Sequence, residues 1–189
     1  IFPKNYLALI FRYSENNDKE KAFETAKAHF QGIPASLANS AGALMGANYH
    51  HDMLRVGIGL YGGSPNIDVT KSGKVVVSLH APVLQTRTVQ AGETIGYGAT
   101  FTAETQMRIA VLSIGYADGF PRLMGRGDKD PLSAHVAFGQ QVCPLVGRVS
   151  MDLLAVDISD LESDIQRGDL AEIFGHTISL DTVSQQAGT

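Results

Sequence analysis

The chain has 189 residues, enough to bury a core as one large domain or two small ones. Its 15 Lys and Arg stand against 19 Asp and Glu for a formal net charge of −4, with both signs spread along the chain. That balance argues against a nucleic-acid or anionic-membrane partner, which would favour a basic excess or stripe. A single cysteine, Cys143, excludes an internal disulfide and reads as a small buried apolar residue. Apolar runs of about ten residues are too short for a bilayer, so the expectation is a soluble, cytoplasmic protein.

In chain order, "YLALIF" (6–11) predicts a strand and "NDKEKAFETAKAHFQG" (17–32) a helix, with Asp18 near its start and Gly32 past its end. "ASLANS" (35–40) reads as a short strand running into a turn, "AGALMGAN" (41–48) as a short helix, and "MLRVGIGLYG" (53–62) as a glycine-rich strand. Strand and helix in alternation mark parallel α/β units. After "GGSPN" the rhythm changes to short strands separated by turn residues, from "KVVVSLHAPVLQTRTV" to "DLAEIFG", with one helix pattern, "SLDTVSQQAG", at the end. So many short strands predict an antiparallel, barrel-like β-domain over 67–189, following an α/β segment over 1–66. Ile1 in the place of a starting Met, and a final helix with no strand or cap after it, read as marks of a partial chain.

The polar stretches carry less information singly. "YHHD" (49–52) has no further ligands at metal spacing and reads as a solvated loop. "GGSPN" is no nucleophile elbow, because Ser64 has no assignable base. Asn39 and Ser40, between a strand and a helix, could cap that helix or meet an anion at its N-terminus. Arg55 is a permanent cation in an apolar run, where it needs an acceptor; a structural ion pair and a functional contact are both open. Asp152 reads as a turn carboxylate beside Met151, and Tyr116 as a half-buried phenol near a strand end.

Together, "LANSAGAL", "LRVGIGLYGGSP", "AGETIGYGATF", "VLSIGYADGFPR", "PLVGRVSMDLLAVDIS" and the "GD.AEIFG" pattern resemble the pyridoxal-phosphate-dependent alanine racemases, in that family's order. The resemblance covers about 150 residues, from Ser36 to Thr189. It implies a fold in which residues 1–66 are the end of a (β/α)8 barrel and 67–189 most of the following β-domain. The implied activity is interconversion of L- and D-alanine by two-base proton transfer at Cα, in a homodimer whose active sites are shared across the interface.

Carried over residue by residue, the resemblance makes Tyr116 a catalytic phenol acting on cofactor held by the other subunit. A phenol needs nearby positive charge or hydrogen bonds to serve as a base at neutral pH. Arg55 would face the pyridine nitrogen of pyridoxal 5'-phosphate; Asn39, Ser40, Gly57 and Ile58 would surround its phosphate; Met151, through its backbone, and Asp152 would lie near the substrate carboxylate. No metal is implied. The family's second base is a Schiff-base lysine in a motif like "KANAYGHG", and no lysine here (4, 19, 21, 27, 71, 74 or 129) stands in such a context. Where the family has a histidine, this chain has Arg12 or Tyr13, and a further phosphate-binding tyrosine would fall beyond Thr189. A non-catalytic β-domain that serves dimerisation or interaction is the alternative expectation.

Overall fold

The computed structural model describes residues 7–8, 19–65, 74–125 and 134–188. The chain divides into two compact units, Ile1–Val76 and Val77–Thr189. The boundary expected between residues 66 and 67, the ends of the 6–11 run, and Arg12 and Tyr13 all lie outside the described residues.

In the first unit, β1 (Leu7–Ala8) and β2 (Ala35–Ser36) pair in parallel, with Ala8 opposite Ser36, and α1 (Lys19–Lys27) crosses between them. Parallel strands require such a crossover, so the alternating rhythm of the sequence is realised here. Phe23 of α1 is fully buried. Next comes α2 (Ser40–Met45), whose N-cap is Asn39.

Two expectations are corrected in this unit. The run 53–62 is no strand: it contributes one parallel bridge, Asn39 to Arg55, and then a 3-10 turn at Ile58–Tyr61. The Ser40 hydroxyl accepts the N–H groups of both Gly57 and Gly59 (2.9 and 3.3 Å), which turns the chain out of an extended path. The turn at 49–52 is solvated only in part, with Asp52 exposed and the rest half-buried. Asp52 exchanges two bonds with Ala35, one through its carboxylate (2.8 Å) and one through its N–H (3.1 Å). The His50 ring lies 2.8 Å from the Ala43 carbonyl, and the His51 side chain is only 6% exposed, packed on Phe23 beside Glu24.

The second unit holds β3 (Leu79–Val89), β4 (Thr94–Ile95), β5 (Phe101–Thr102), β6 (Met107–Leu112), β7 (His135–Phe138), β8 (Gln141–Val146), β9 (Leu154–Asp157), β10 (Leu170–Phe174) and α3 (Leu180–Ala187). Antiparallel pairings join six strands in the closed order β10-β3-β6-β9-β8-β7, and β4 and β5 form a separate hairpin. Closure leaves those six strands without an open edge. Register slips between Val83 and Gln85 and between Glu172 and Phe174 give the bends that closing a small sheet requires. Between β7 and β8 the loop has two residues, and its first, Gly139, takes φ 61°, a left-handed value that favours glycine.

The barrel is filled by side chains, as small barrels are: Val83, Leu112, Val136, Val156, Ile158 and Ile173 are among its fully or nearly fully buried residues. A second apolar cluster, including Val89, Ile95, Phe101, Met107, Ile109 and Val146, joins the β4–β5 hairpin to the barrel wall. The final helix is capped at both ends, contrary to the sequence reading. The Ser179 hydroxyl accepts the Thr182 N–H (3.0 Å), and Gly188 at φ 75° returns its N–H to the Gln185 carbonyl (3.1 Å).

One buried carboxylate organises the turn before α3. Glu172 accepts the N–H groups of Ile178 and Thr177 at 2.8 Å and of His176 at 3.1 Å. Burial alone would raise its pKa; those three donors, with a smaller contribution from His80, outweigh burial and hold it below the ordinary 4.5. With the folded-state pKa below the unfolded value, the unfolded chain takes up this proton first as pH falls. The stabilisation is therefore whole above the unfolded pKa and is lost as pH drops through the folded one. Urea midpoints measured between about pH 6 and pH 3 should fall with acid, and Glu172→Gln should flatten that slope while costing roughly 1–3 kcal/mol at neutral pH.

Cys143 lies inside the barrel, and burial, then Asp157 and Asp160, pushes its thiol up to about 11. A thiol that rarely ionises is a poor nucleophile. The native protein should leave a colorimetric disulfide reagent unreacted at pH 8, and urea should release one thiol equivalent.

Candidate functional site

Each unit carries one group of the expected site residues. In the first, the end of β2 leads into α2 and meets the chain again at the Asn39–Arg55 bridge, where the Arg55 N–H also donates to the Ala38 carbonyl (2.9 Å). Asn39 caps α2, its Oδ1 accepting the Gly42 N–H at 3.0 Å. Ser40, nearly buried at the first position of that helix, takes N–H groups from Gly57 and Gly59 on its hydroxyl oxygen and keeps its own proton to donate. Gly57 thus serves Ser40, and a Cβ placed on it would meet nothing within 4 Å, so the space beside it is open. Ile58 begins the 3-10 turn, where opening N–H groups have no acceptor within the turn itself.

Arg55 is half-buried, and its partners are neutral oxygens. Nη1 donates to the Ser36 carbonyl (2.8 Å) and the Ser36 hydroxyl (2.7 Å), and Nη2 to the Leu37 carbonyl (3.3 Å). Among the described residues no carboxylate pairs with it, and the acceptors it does reach carry no charge. A hydroxyl with a proton to give, open backbone beside a glycine, and a guanidinium with N–H groups beyond those given to Ser36 and Leu37 form a set able to hold a phosphate and a nearby neutral acceptor. The donors present therefore fit pyridoxal phosphate.

In the second unit, β6 ends at Leu112, and Tyr116 opens a 3-10 turn at Tyr116–Asp118. The Asp118 carboxylate accepts the Gly115 N–H at 2.9 Å, tying the turn to its own start. Two backbone bonds hold this turn against the segment that carries Met151 and Asp152: Tyr116 N–H to Ser150 O (3.0 Å) and Ala117 N–H to Met151 O (2.9 Å). Ser150 closes its own turn by donating to the Leu153 carbonyl (2.9 Å), which leaves Met151 and Asp152 at the exposed tip. In a trans peptide the N–H points opposite the C=O. With the carbonyls of Ser150 and Met151 aimed at the tyrosine turn, the N–H groups of Met151 and Asp152 point away from it, suited to an anion.

Tyr116 is 39% exposed, and the Arg122 guanidinium carbon lies 5.5 Å from its ring centre, a cation-on-ring contact. Sequence reading missed Ser36, Asp118 and Arg122. The capping pattern of an acidic residue three places after Gly115 was a usable signal for Asp118, whereas Ser36 and Arg122 had none.

The alanine racemase N-terminal domain matches residues 11–65 and the alanine racemase C-terminal domain residues 76–189. The chain belongs to the alanine racemase family. An alanine racemase of Rhodospirillum rubrum is 41% identical over 175 residues, which is 92% of this chain and 45% of that protein. One of Jannaschia is 46% identical over 156 residues, or 82% and 42%. Among solved structures, alanine racemase from Bartonella henselae with covalently bound pyridoxal phosphate superposes with a TM-score of 0.80 at 37% identity, covering 94% of this chain and 48% of that one. The biosynthetic alanine racemase of Pseudomonas aeruginosa gives 0.75 at 40% identity, covering 90% and 46%. The chain spans about half the length of the curated relatives it matches. Among the described residues no helix is long and apolar enough to cross a membrane, and no three potential metal ligands cluster.

Gly115 is the residue on which the docking of the Tyr116 turn depends, since an added Cβ would overlap the Met151 and Ser150 carbonyls. Gly115→Ala should therefore push the Tyr116 turn off its partner and cost about 1–3 kcal/mol. Denaturant titration checks the loss, and Tyr116 side-chain NMR shifts check the displacement.

Proposed function

We propose that this chain is part of an alanine racemase that interconverts L- and D-alanine with pyridoxal 5'-phosphate, Tyr116 acting as one of two bases at Cα. The observation that carries the reading is the exposed phenol of Tyr116, held by two backbone bonds against the Met151–Asp152 turn. On this reading the first unit is the end of a (β/α)8 barrel. The protein works as a homodimer in which Tyr116, Met151 and Asp152 serve the cofactor bound by a partner copy.

Pyridoxal phosphate, when bound, supplies a ring that draws electrons from an attached amino acid and acidifies its α-carbon. Ser40 and the Ile58 N–H would donate to its phosphate, with Asn39 and Gly57 holding the Ser40 segment in place. Arg55 would donate a hydrogen bond to the pyridine nitrogen, and a permanent cation there would keep that nitrogen unprotonated. The Met151 N–H and the neighbouring Asp152 turn receive the substrate carboxylate. Tyr116 removes the α-proton on one face or returns it, with the positive charge of Arg122 packed over its ring. The opposing base is a lysine on the part of the relatives' length that this chain does not span.

In a full-length enzyme containing this chain, Tyr116→Phe should lower the L-to-D rate by about 10²- to 10⁴-fold. Its fold and cofactor affinity should stay unchanged. Exchange of the α-hydrogen with deuterated solvent, followed separately from each enantiomer, should be lost at the tyrosine face. Wild-type exchange from both enantiomers would remove the assignment.

A further inference from the structure

We propose that Ser36 is the positioning residue for Arg55: its carbonyl and its hydroxyl together occupy both protons of one guanidinium nitrogen and so orient the remaining N–H groups. The two bonds, 2.8 and 2.7 Å, come from one residue that is 0% exposed and belongs to β2. The Leu37 carbonyl takes one proton of Nη2 at 3.3 Å. Of the five N–H groups of a guanidinium, three are thereby directed at the β2 segment, and Nε and the second Nη2 proton are directed elsewhere.

The chemistry of the anchor matters as much as its place. A carboxylate would hold Arg55 more strongly but neutralise its field, whereas a hydroxyl and two carbonyls fix the plane and leave the full positive charge for a ligand. A fully buried hydroxyl is costly unless it is hydrogen-bonded, and the partner that satisfies this one is the guanidinium. Because Ser36 pairs with Ala8 of β1 through the strand backbone, the acceptor pair is set by sheet register rather than by a loop. The Ser36–Arg55 linkage stands on this geometry alone; that the oriented N–H groups meet the cofactor rests on the racemase reading.

The test uses the 189-residue chain without cofactor, labelled with ¹⁵N at arginine, and measures rotation and proton exchange of the Arg55 guanidinium by NMR. Ser36→Cys keeps the volume and replaces a good acceptor by a weak one; Ser36→Ala removes it; Ser36→Thr retains it. Cys and Ala should accelerate Arg55 motion at least about tenfold, the scale of one charge-assisted bond, and Thr should restore the slow signal. Unchanged Arg55 motion in folded Cys and Ala variants overturns the proposal. So does unfolding of both with Thr folded, because the hydroxyl would then serve stability rather than orientation. In the full-length enzyme, Ser36→Cys should also weaken pyridoxal phosphate binding several-fold. If Arg55 loosens yet cofactor affinity is unchanged, Ser36 still positions Arg55 and the cofactor role of Arg55 is what fails.

Discussion

The contact between Gly115 and the carbonyls of Ser150 and Met151 is the constraint around which the β-domain site is arranged. No side chain fits between these backbones. The approach allows Tyr116 and Ala117 to donate their N–H groups to Ser150 and Met151. Those bonds do two things at once. They hold the phenol on the surface, and they turn the N–H groups of the 150–152 segment outward. A loop after β6 and a loop before β9 act as one piece, and the antiparallel pairing of β6 with β9 brings their roots together.

The first unit solves a related problem with side chains. Ser40 gathers two glycine N–H groups and bends the chain after Arg55, while Ser36 gathers the guanidinium. Serine suits both tasks because a hydroxyl can accept and still donate, and because it adds no charge. Arg55 keeps its full charge for the same reason. The two groups of residues are built by different means, one by backbone docking and one by buried hydroxyls.

Much of this was legible in the chain. Short strands between turn residues announced an antiparallel β-domain, and every strand read after residue 74 has a counterpart in β3 to β10. Family motifs singled out Asn39, Ser40, Arg55, Tyr116, Met151 and Asp152 as expectations for the site proposed above. The failures came where polar contacts override local pattern. Residues 53–62 look like a strand because Val56, Ile58 and Leu60 alternate with small residues, but the Ser40 hydroxyl bends them into a turn. Residues 49–52 look solvated because they are polar, but Asp52 and His51 find partners at Ala35 and Phe23.

By itself, the sequence determined the two rhythms and the family, since periodicity and motif are properties of neighbours along the chain. Tertiary structure alone decided that Arg55 donates to Ser36 and that Arg122 lies on the Tyr116 ring. It also decided that Glu172 gathers three N–H groups of the turn before the last helix. Partner choice of that kind depends on strand register and loop closure, which bring together groups that no spacing in the sequence relates.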